Sequence, residues 1–126
     1  MTSGYQAYQS NSVFTATPEQ LVVMLYDGAL RFGRRALGAW ASGDKPGATQ
    51  AVGRVTAIVH ELNATLDMEK GGEIAENLRS IYTFLSGYLI ESVTQQDPVK
   101  LRRAMDLLME LREAFSQAAK TSAAAA

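Results

Sequence analysis

The sequence predicts an all-α protein, namely an antiparallel up-down-up-down four-helix bundle with a mobile or loosely docked N-terminal segment. Apolar residues recur with a period near 3.6 in three long segments, which is the period of a helix that is buried on one side. None of the segments alternates with period two over the length of a strand. The connections between the segments are short, and short connections favour antiparallel neighbours.

The domain organisation follows from this pattern. A chain of 126 residues is expected to form one domain, here a bundle over residues 17–120. Residues 1–16 are expected to form an N-terminal cap segment and are rich in Ser, Thr, Gln and Asn. Residues 121–126 are expected to form an alanine-rich tail that either extends the last helix or frays.

The first helix has a distinct start signal. Thr17 is a good N-cap residue, Pro18 suits the first helical position, and Gln20 completes a capping box with Thr17. No further proline occurs before residue 41, so the helix is expected to continue to that point. Residues 42–46 contain Ser, Gly, Asp and Pro and are expected to form a turn.

The other three helices are separated by glycine and proline signals. Gly71 and Gly72 end the second helix, and Asp97 with Pro98 marks the start of the fourth. The three helices are expected over residues 47–69, 73–95 and 99–119. The apolar stripe of the second helix consists of Ala48, Val52, Val55, Val59, Leu62 and Leu66. That of the third consists of Ile74, Leu78, Ile81, Leu85 and Leu89. That of the fourth consists of Leu101, Met105, Leu108, Leu111 and Phe115.

Composition excludes several classes of function. The chain has no cysteine and one histidine, so a disulfide framework, a thiolate zinc site and a cysteine nucleophile are excluded, and an imidazole-rich metal site would need a second chain. The charge is balanced, with 12 Lys and Arg against 13 Asp and Glu, which argues against nucleic acid as a partner. No apolar run has the length of a membrane span, and no secretion signal is visible. A cytoplasmic protein with no catalytic residue, cofactor or metal is therefore expected.

The single histidine supports one alternative function. The stretch that begins at His60 resembles the zinc-protease motif, but Ala64 stands where that motif requires its second histidine. His60 lies off the apolar stripe of its helix, so a histidine phosphotransfer module is kept as an alternative, although Asn63 supplies no cation for the phosphoryl charge. A purely structural bundle that dimerises is the other alternative.

A small basic cluster lies in the first helix. Arg31, Arg34 and Arg35 are interpreted as part of a solvated polar face. The reason is that Asp27 lies one turn from Arg31, and opposite charges at that spacing stabilise a helix. No binding role is predicted for these arginines.

The first helix has more apolar surface than a bundle helix needs. Its apolar residues span roughly 200°, whereas a stripe somewhat wider than about 100° is enough to face one core. They form two adjacent stripes. The first consists of Leu21, Leu25, Gly28, Phe32, Ala36 and Ala39, and the second consists of Val22, Tyr26, Leu30, Gly33, Leu37 and Trp40. The surplus either meets a second copy or the N-terminal tail, or forms a groove for amphipathic helices of a partner.

Candidate partner-contacting residues follow from this surplus and from the tail. They are Tyr5, Tyr8, Val13, Val22, Tyr26, Leu30, Leu37, Met105 and Met109. On the first helix, Tyr26 and Leu30 are assigned to the groove side, and Leu25 and Phe32 to the core side. The two methionines suit an adaptable surface because their side chains are flexible. The three N-terminal residues would act as a removable cover.

Four segments of the chain carry specific motifs. They are Tyr5 to Val13 followed by TATPEQLVVMLYDGA at residues 15–29, ELNATLDMEKGGEIA at 61–75, NLRSIY at 77–82 and LMELREAF at 108–115. In this order and spacing they resemble the family of the flagellar secretion chaperone FliS. The chain departs from that family at Phe115, where tryptophan is more usual, and over residues 33–51, which lack a distinctive family pattern.

The resemblance implies a fold, a function and a partner. Members of this family are antiparallel four-helix bundles of the bacterial cytoplasm. They bind the disordered C-terminal segment of flagellin, which becomes helical as it wraps around the bundle. Binding prevents premature polymerisation and keeps flagellin competent for flagellar type III secretion, without nucleotide. The N-terminal segment of the family packs over an apolar site and is displaced by the client. Other flagellar regulatory proteins are further candidate partners, and the chain would be a monomer or a weak homodimer.

Overall fold

The protein folds as a bundle of four helices in the computed structural model, which describes residues 16–125 and the side chains of residues 16–121. The helices are α1 (Pro18–Ala41), α2 (Lys45–Ala64), α3 (Gly72–Thr94) and α4 (Pro98–Ala125). Residues 16–125 contain no strand. The predicted all-α fold class is therefore confirmed. Residues 1–15, which make up most of the predicted cap segment, lie outside the described residues.

The predicted capping box at the start of α1 is present. The Thr17 hydroxyl oxygen accepts a hydrogen bond from the Gln20 backbone N–H at 3.1 Å, and the Thr17 backbone N–H donates to the Gln20 side-chain oxygen at 2.7 Å. At the next connection, the Asp44 carboxylate accepts from the Gly47 N–H at 2.9 Å and so caps α2. These bonds satisfy backbone donors that a helix start leaves without partners.

Two predicted helix ends are corrected. The second helix ends at Ala64 instead of residue 69, because the chain turns there around Asp67. The carboxylate of Asp67 accepts from the N–H groups of Glu69 at 3.1 Å and Lys70 at 3.0 Å, and such local bonds compete with a helix. The fourth helix continues beyond residue 119 to Ala125, because alanine has the highest helix propensity.

The helices pack as an antiparallel ring in chain order, and α4 returns to α1. Contacts between α1 and α4 run from early to late residues, since Asp27 binds Arg112 at 2.7 Å and Gly33 lies against Met105. At the other end of the bundle, the Trp40 indole N–H donates to the Gln96 side-chain oxygen at 2.8 Å. The α1–α2 interface is the most extensive of the four, and the α3–α4 interface is the least extensive.

The core confirms most of the predicted stripe of the third helix and corrects one end of it. The other four members of the stripe are buried or pack against the core, but Ile74, in the first turn of α3, is 73% exposed. Tyr82, which the predicted stripe did not include, is 1% exposed, and its hydroxyl finds a hydrogen-bond partner inside the core. The fully buried large side chains are Tyr26, Val52, Val55, Val59, Leu62, Tyr82, Leu85, Leu89, Leu101 and Leu108.

Gly33 leaves room on α1 for the Met105 side chain of α4. A Cβ atom at this position would lie 2.7 Å from the Met105 sulfur, so a larger side chain would displace Met105 from its place against α1. We expect Gly33→Leu to lower the free energy of unfolding by about 1–3 kcal/mol, measured by urea unfolding with far-UV circular dichroism. Gly87→Leu is the matched control, because nothing lies within 4 Å of an added Cβ at Gly87. An equal loss in both variants would contradict this interpretation.

Candidate protein-binding cleft

An open apolar cleft lies at the end of the bundle where α1 begins, and we call it the terminal cleft. Its volume is about 740 Å³. The walls come from the first turns of α1, the connection of residues 65–71, the first half of α3 and the late part of α4. Its apolar lining is mainly Leu21, Val22, Leu25, Leu66, Ile74, Leu78 and Phe115. The cleft is therefore a concavity with a predominantly apolar lining.

The α2–α3 connection shapes one wall of the terminal cleft. The tight turn around Asp67 brings Leu66 to the wall and leaves Asp67 and Lys70 among the polar lining residues. Gly71 makes this turn possible, because an added Cβ would lie 2.7 Å from the Asp67 carbonyl oxygen and 2.6 Å from the Ala75 Cβ. Gly71 was expected to end the second helix, but it lies at the end of the connection between α2 and α3.

Two buried tyrosines lie beneath the terminal cleft. Tyr82 lines the cleft, and its hydroxyl lies 2.5 Å from the hydroxyl of Tyr26 on α1. The Tyr26 ring lies 5.7 Å from the ring of Phe115, which also lines the cleft. Burial raises the pKa of both hydroxyls above the ordinary tyrosine value, and in Tyr26 the bond to Tyr82 raises it further. Both groups therefore stay protonated at neutral pH and can share a hydrogen bond.

The structure corrects the predicted groove side of α1. Tyr26 is 0% exposed and Leu30 is 3% exposed, so neither lies on an open surface. The broad apolar arc of α1 is used by three neighbours, because α2 and α4 pack on its two sides and the Tyr26 hydroxyl bonds to α3. Leu25, assigned to the core side, packs against the core and also lines the terminal cleft.

The other candidate residues lie in different places. Val22 lines the terminal cleft. Leu37 and Met105 are half-buried against the core, whereas Met109 is 42% exposed and lies in a separate hollow beside Asp27. The N-terminal candidates Tyr5, Tyr8 and Val13 lie outside the described residues. The structure thus brings only Val22 of the described candidates to the cleft.

Sequence reasoning missed the apolar surface of α3. Ile74, Phe84 and Ile90 are 73%, 58% and 58% exposed. Phe84 stacks on Tyr88 with ring centroids 5.3 Å apart, and the Lys100 ammonium lies 4.8 Å from the Tyr88 ring centroid. The signal was present in the sequence, because apolar residues surround most of this helix.

A second, shallower groove of about 400 Å³ lies between α2 and α3. Small residues Gly53 and Ala57 form one wall, and Ile90 and Val93 form the other. His60 lies at this groove and is exposed. Its neighbours in the groove include no Lys or Arg that could steady a phosphoryl group, so the phosphotransfer alternative is not favoured.

Two further observations concern residues 16–125. No helix in that range combines the length and hydropathy needed to cross a membrane. No group of three or more His, Asp or Glu side chains in the same range is arranged to hold a metal ion.

Comparison with known sequences identifies related proteins. The sequence model of the family described as "Flagellar protein FliS" matches residues 1–122. A flagellar secretion chaperone FliS from Salmonella typhimurium is 34% identical over 120 residues, which cover 91% of this chain and 89% of that protein. The same-named protein from Bacillus subtilis is 32% identical over 114 residues, which cover 90% and 84%.

A third relative shares a shorter region. The flagellar secretion chaperone FliS of Campylobacter jejuni is 46% identical over 79 residues, which cover 63% of this chain and 62% of that protein. The match to this relative thus spans less than two thirds of its length.

The tyrosine pair allows a direct test of the floor of the terminal cleft. We expect Tyr82→Phe and Tyr26→Phe each to lower the free energy of unfolding by about 1–3 kcal/mol, because each leaves a buried hydroxyl without its partner. The double variant should lose less than the sum of the single losses, since it leaves no hydroxyl unpaired. Urea unfolding of the four proteins measures this coupling. Additive losses would show that the two hydroxyls are not coupled.

Proposed function

The chain belongs to the family of the flagellar protein FliS, and we propose that it is a cytoplasmic export chaperone for flagellin. It binds the disordered C-terminal segment of flagellin, prevents premature polymerisation and keeps the client competent for flagellar type III secretion. The relatives named above are flagellar secretion chaperones. The observation that carries the proposal is the terminal cleft, whose lining is predominantly apolar. An apolar concavity of this kind suits the apolar face of an amphipathic client helix.

The physical requirement of such a client fits the exposed apolar surface of the bundle. A disordered segment loses conformational entropy when it binds, so it needs a long apolar contact to compensate. The terminal cleft, the exposed Phe84 stacked on the half-buried Tyr88, and the α2–α3 groove beside Ile90 together offer such a length. We propose that successive parts of the client lie on these surfaces.

We also propose that residues 1–15 cover the terminal cleft before the client arrives. They lead directly into Pro18 and Glu19, which line the cleft, so the segment starts at the place it would cover. Tyr5, Tyr8 and Val13 are the proposed covering residues. A tyrosine suits this role because its ring is apolar and its hydroxyl can face water.

The proposed role is that of a binding protein without catalysis, in keeping with a family named for a chaperone. The proposed free state is a monomer or a weak homodimer. Flagellin is the proposed client, and other flagellar regulatory proteins are further candidate partners.

The client proposal is tested by titration with a synthetic peptide of a flagellin C-terminal segment. We expect saturable binding with a gain of helical circular dichroism. Ile74→Asp should weaken binding about tenfold or more, because it places a charge in the terminal cleft in place of an apolar side chain. Ile74 is largely exposed in the free protein, so this variant should fold normally.

Val99→Asp is the matched control for that titration. Val99 is 53% exposed and does not line the terminal cleft, so its replacement should leave binding unchanged. Absence of saturable binding, or binding without added helix, would exclude the client proposal. An equal effect of both variants would exclude the cleft as the main contact.

Deletion of residues 1–15 tests the proposed cover. The truncated protein should bind more of an apolar fluorescent dye than the full chain does, because the terminal cleft would lie open. Ile74→Asp in the truncated protein should reduce the extra dye binding. Sedimentation at several concentrations reports self-association of the two forms. Unchanged dye binding and unchanged association after deletion would contradict the cover.

A further inference from the structure

Four exposed arginines lie in neighbouring stretches of α1 and α2, and we call them the arginine band. It consists of Arg31, Arg34 and Arg35 on the outer side of α1 and Arg54 on α2. All four side chains are exposed. Between residues 16 and 121, none of them forms an ion pair, because the ion pairs of that region involve Lys100 and Arg112. Like charges at helical spacing lower the stability of the fold slightly when no acidic group pairs with them.

The carboxylate that was expected to neutralise this cluster is used elsewhere. Asp27 accepts a hydrogen bond from the Arg112 guanidinium on α4 at 2.7 Å, and Arg112 also binds Glu113 at 3.0 Å. Asp27 and Glu113 line a hollow of about 450 Å³ together with Arg31 and Arg34. Neither of these two arginines forms an ion pair with either acid. The predicted pair of Asp27 with Arg31 is thus replaced by a bond between helices, which leaves Arg31 available to a partner.

A second hollow, of about 340 Å³, lies at the α1–α2 side of the band. Arg35 and Arg54 line it together with Phe32 and Gln50, and no acidic side chain does. The Arg35 guanidinium carbon lies 5.1 Å from the Phe32 ring centroid, so a cation–π contact helps to orient it. Asp44, the one acid between Arg35 and Arg54 in the chain, accepts the hydrogen bond that caps α2.

The band belongs to a basic region at one end of the bundle, and acidic residues are concentrated at the other end. Residues 31–54 contain five Lys and Arg residues and one acidic residue, whereas residues 61–76 contain five acidic residues and one lysine. The first group lies towards the end of the bundle that is distant from the terminal cleft, and the second lies beside the cleft. With a net charge of −1 overall, the band is a local feature and not a consequence of a basic chain.

We propose that the arginine band docks an acidic segment of a partner protein. Guanidinium groups bind carboxylates through two parallel N–H donors, which suits closely spaced Glu and Asp side chains. The Phe32 ring adds an apolar contact beside the charges. A protein segment fits better than a nucleic acid, because a long polyanion would extend towards the acidic residues 61–76 and be repelled. The band and the terminal cleft lie apart, so both can be occupied at once.

Binding of a fluorescein-labelled helical peptide rich in glutamate and leucine tests the proposal by fluorescence anisotropy at low ionic strength. We expect saturable binding to the full chain, which added salt weakens and which the glutamine version of the peptide does not show. Arg35→Glu/Arg54→Glu should weaken binding about tenfold. Arg79→Glu, at an exposed arginine on α3, is the matched control and should change binding by less than about twofold.

Three results would overturn the proposal. They are the absence of saturable binding, an equal loss with Arg79→Glu, or tighter binding of a DNA duplex of similar length. The flagellin peptide should bind Arg35→Glu/Arg54→Glu as it binds the unmodified chain. Failure at the band is therefore distinguishable from failure at the cleft.

Discussion

The hydrogen bond between the hydroxyls of Tyr26 and Tyr82 joins two helices that face each other across the bundle. A buried hydroxyl is costly unless it has a partner, so each tyrosine can occupy the core only because the other is there. The pair therefore links α1 to α3, which share no extensive interface of their own. Tyr82 also lines the terminal cleft, so the floor of the cleft depends on this bond.

The unequal packing of the four helices explains where apolar surface is left over. The first helix has close neighbours on both sides, and the Met105 side chain of one of them lies against Gly33. Most of the wide apolar surface of α1 is covered by these two neighbours. The α3–α4 interface is less extensive, and on this side Phe84 is exposed and stacks on Tyr88, which is half-buried against the core. The surplus apolar surface therefore lies mainly on α3 and at one end of the bundle.

Local signals in the sequence were sufficient for the fold, and long-range contacts decided the rest. Thr17, Pro18 and Gln20 define the start of α1 by chemistry within one helical turn, which is why that prediction succeeded. Periodicity gave the width of the apolar surface of α1 but not its neighbours, so Tyr26 and Leu30 were assigned to the wrong side. The partner of Asp27 was missed for a related reason, since Arg112 is distant in the chain. The family resemblance was carried by contiguous motifs and needed no such contact.

The hydrogen bond between Trp40 and Gln96 holds the tryptophan at one end of the bundle. The chain has one tryptophan, and its indole is hydrogen-bonded at the end of the bundle that is distant from the terminal cleft. Indole emission depends on local polarity, so the signal of this residue follows separation of α1 from the α3–α4 connection. Occupation of the cleft takes place beside tyrosines and a phenylalanine instead. Emission from the single tryptophan thus reports the integrity of the scaffold separately from the tyrosines beside the cleft.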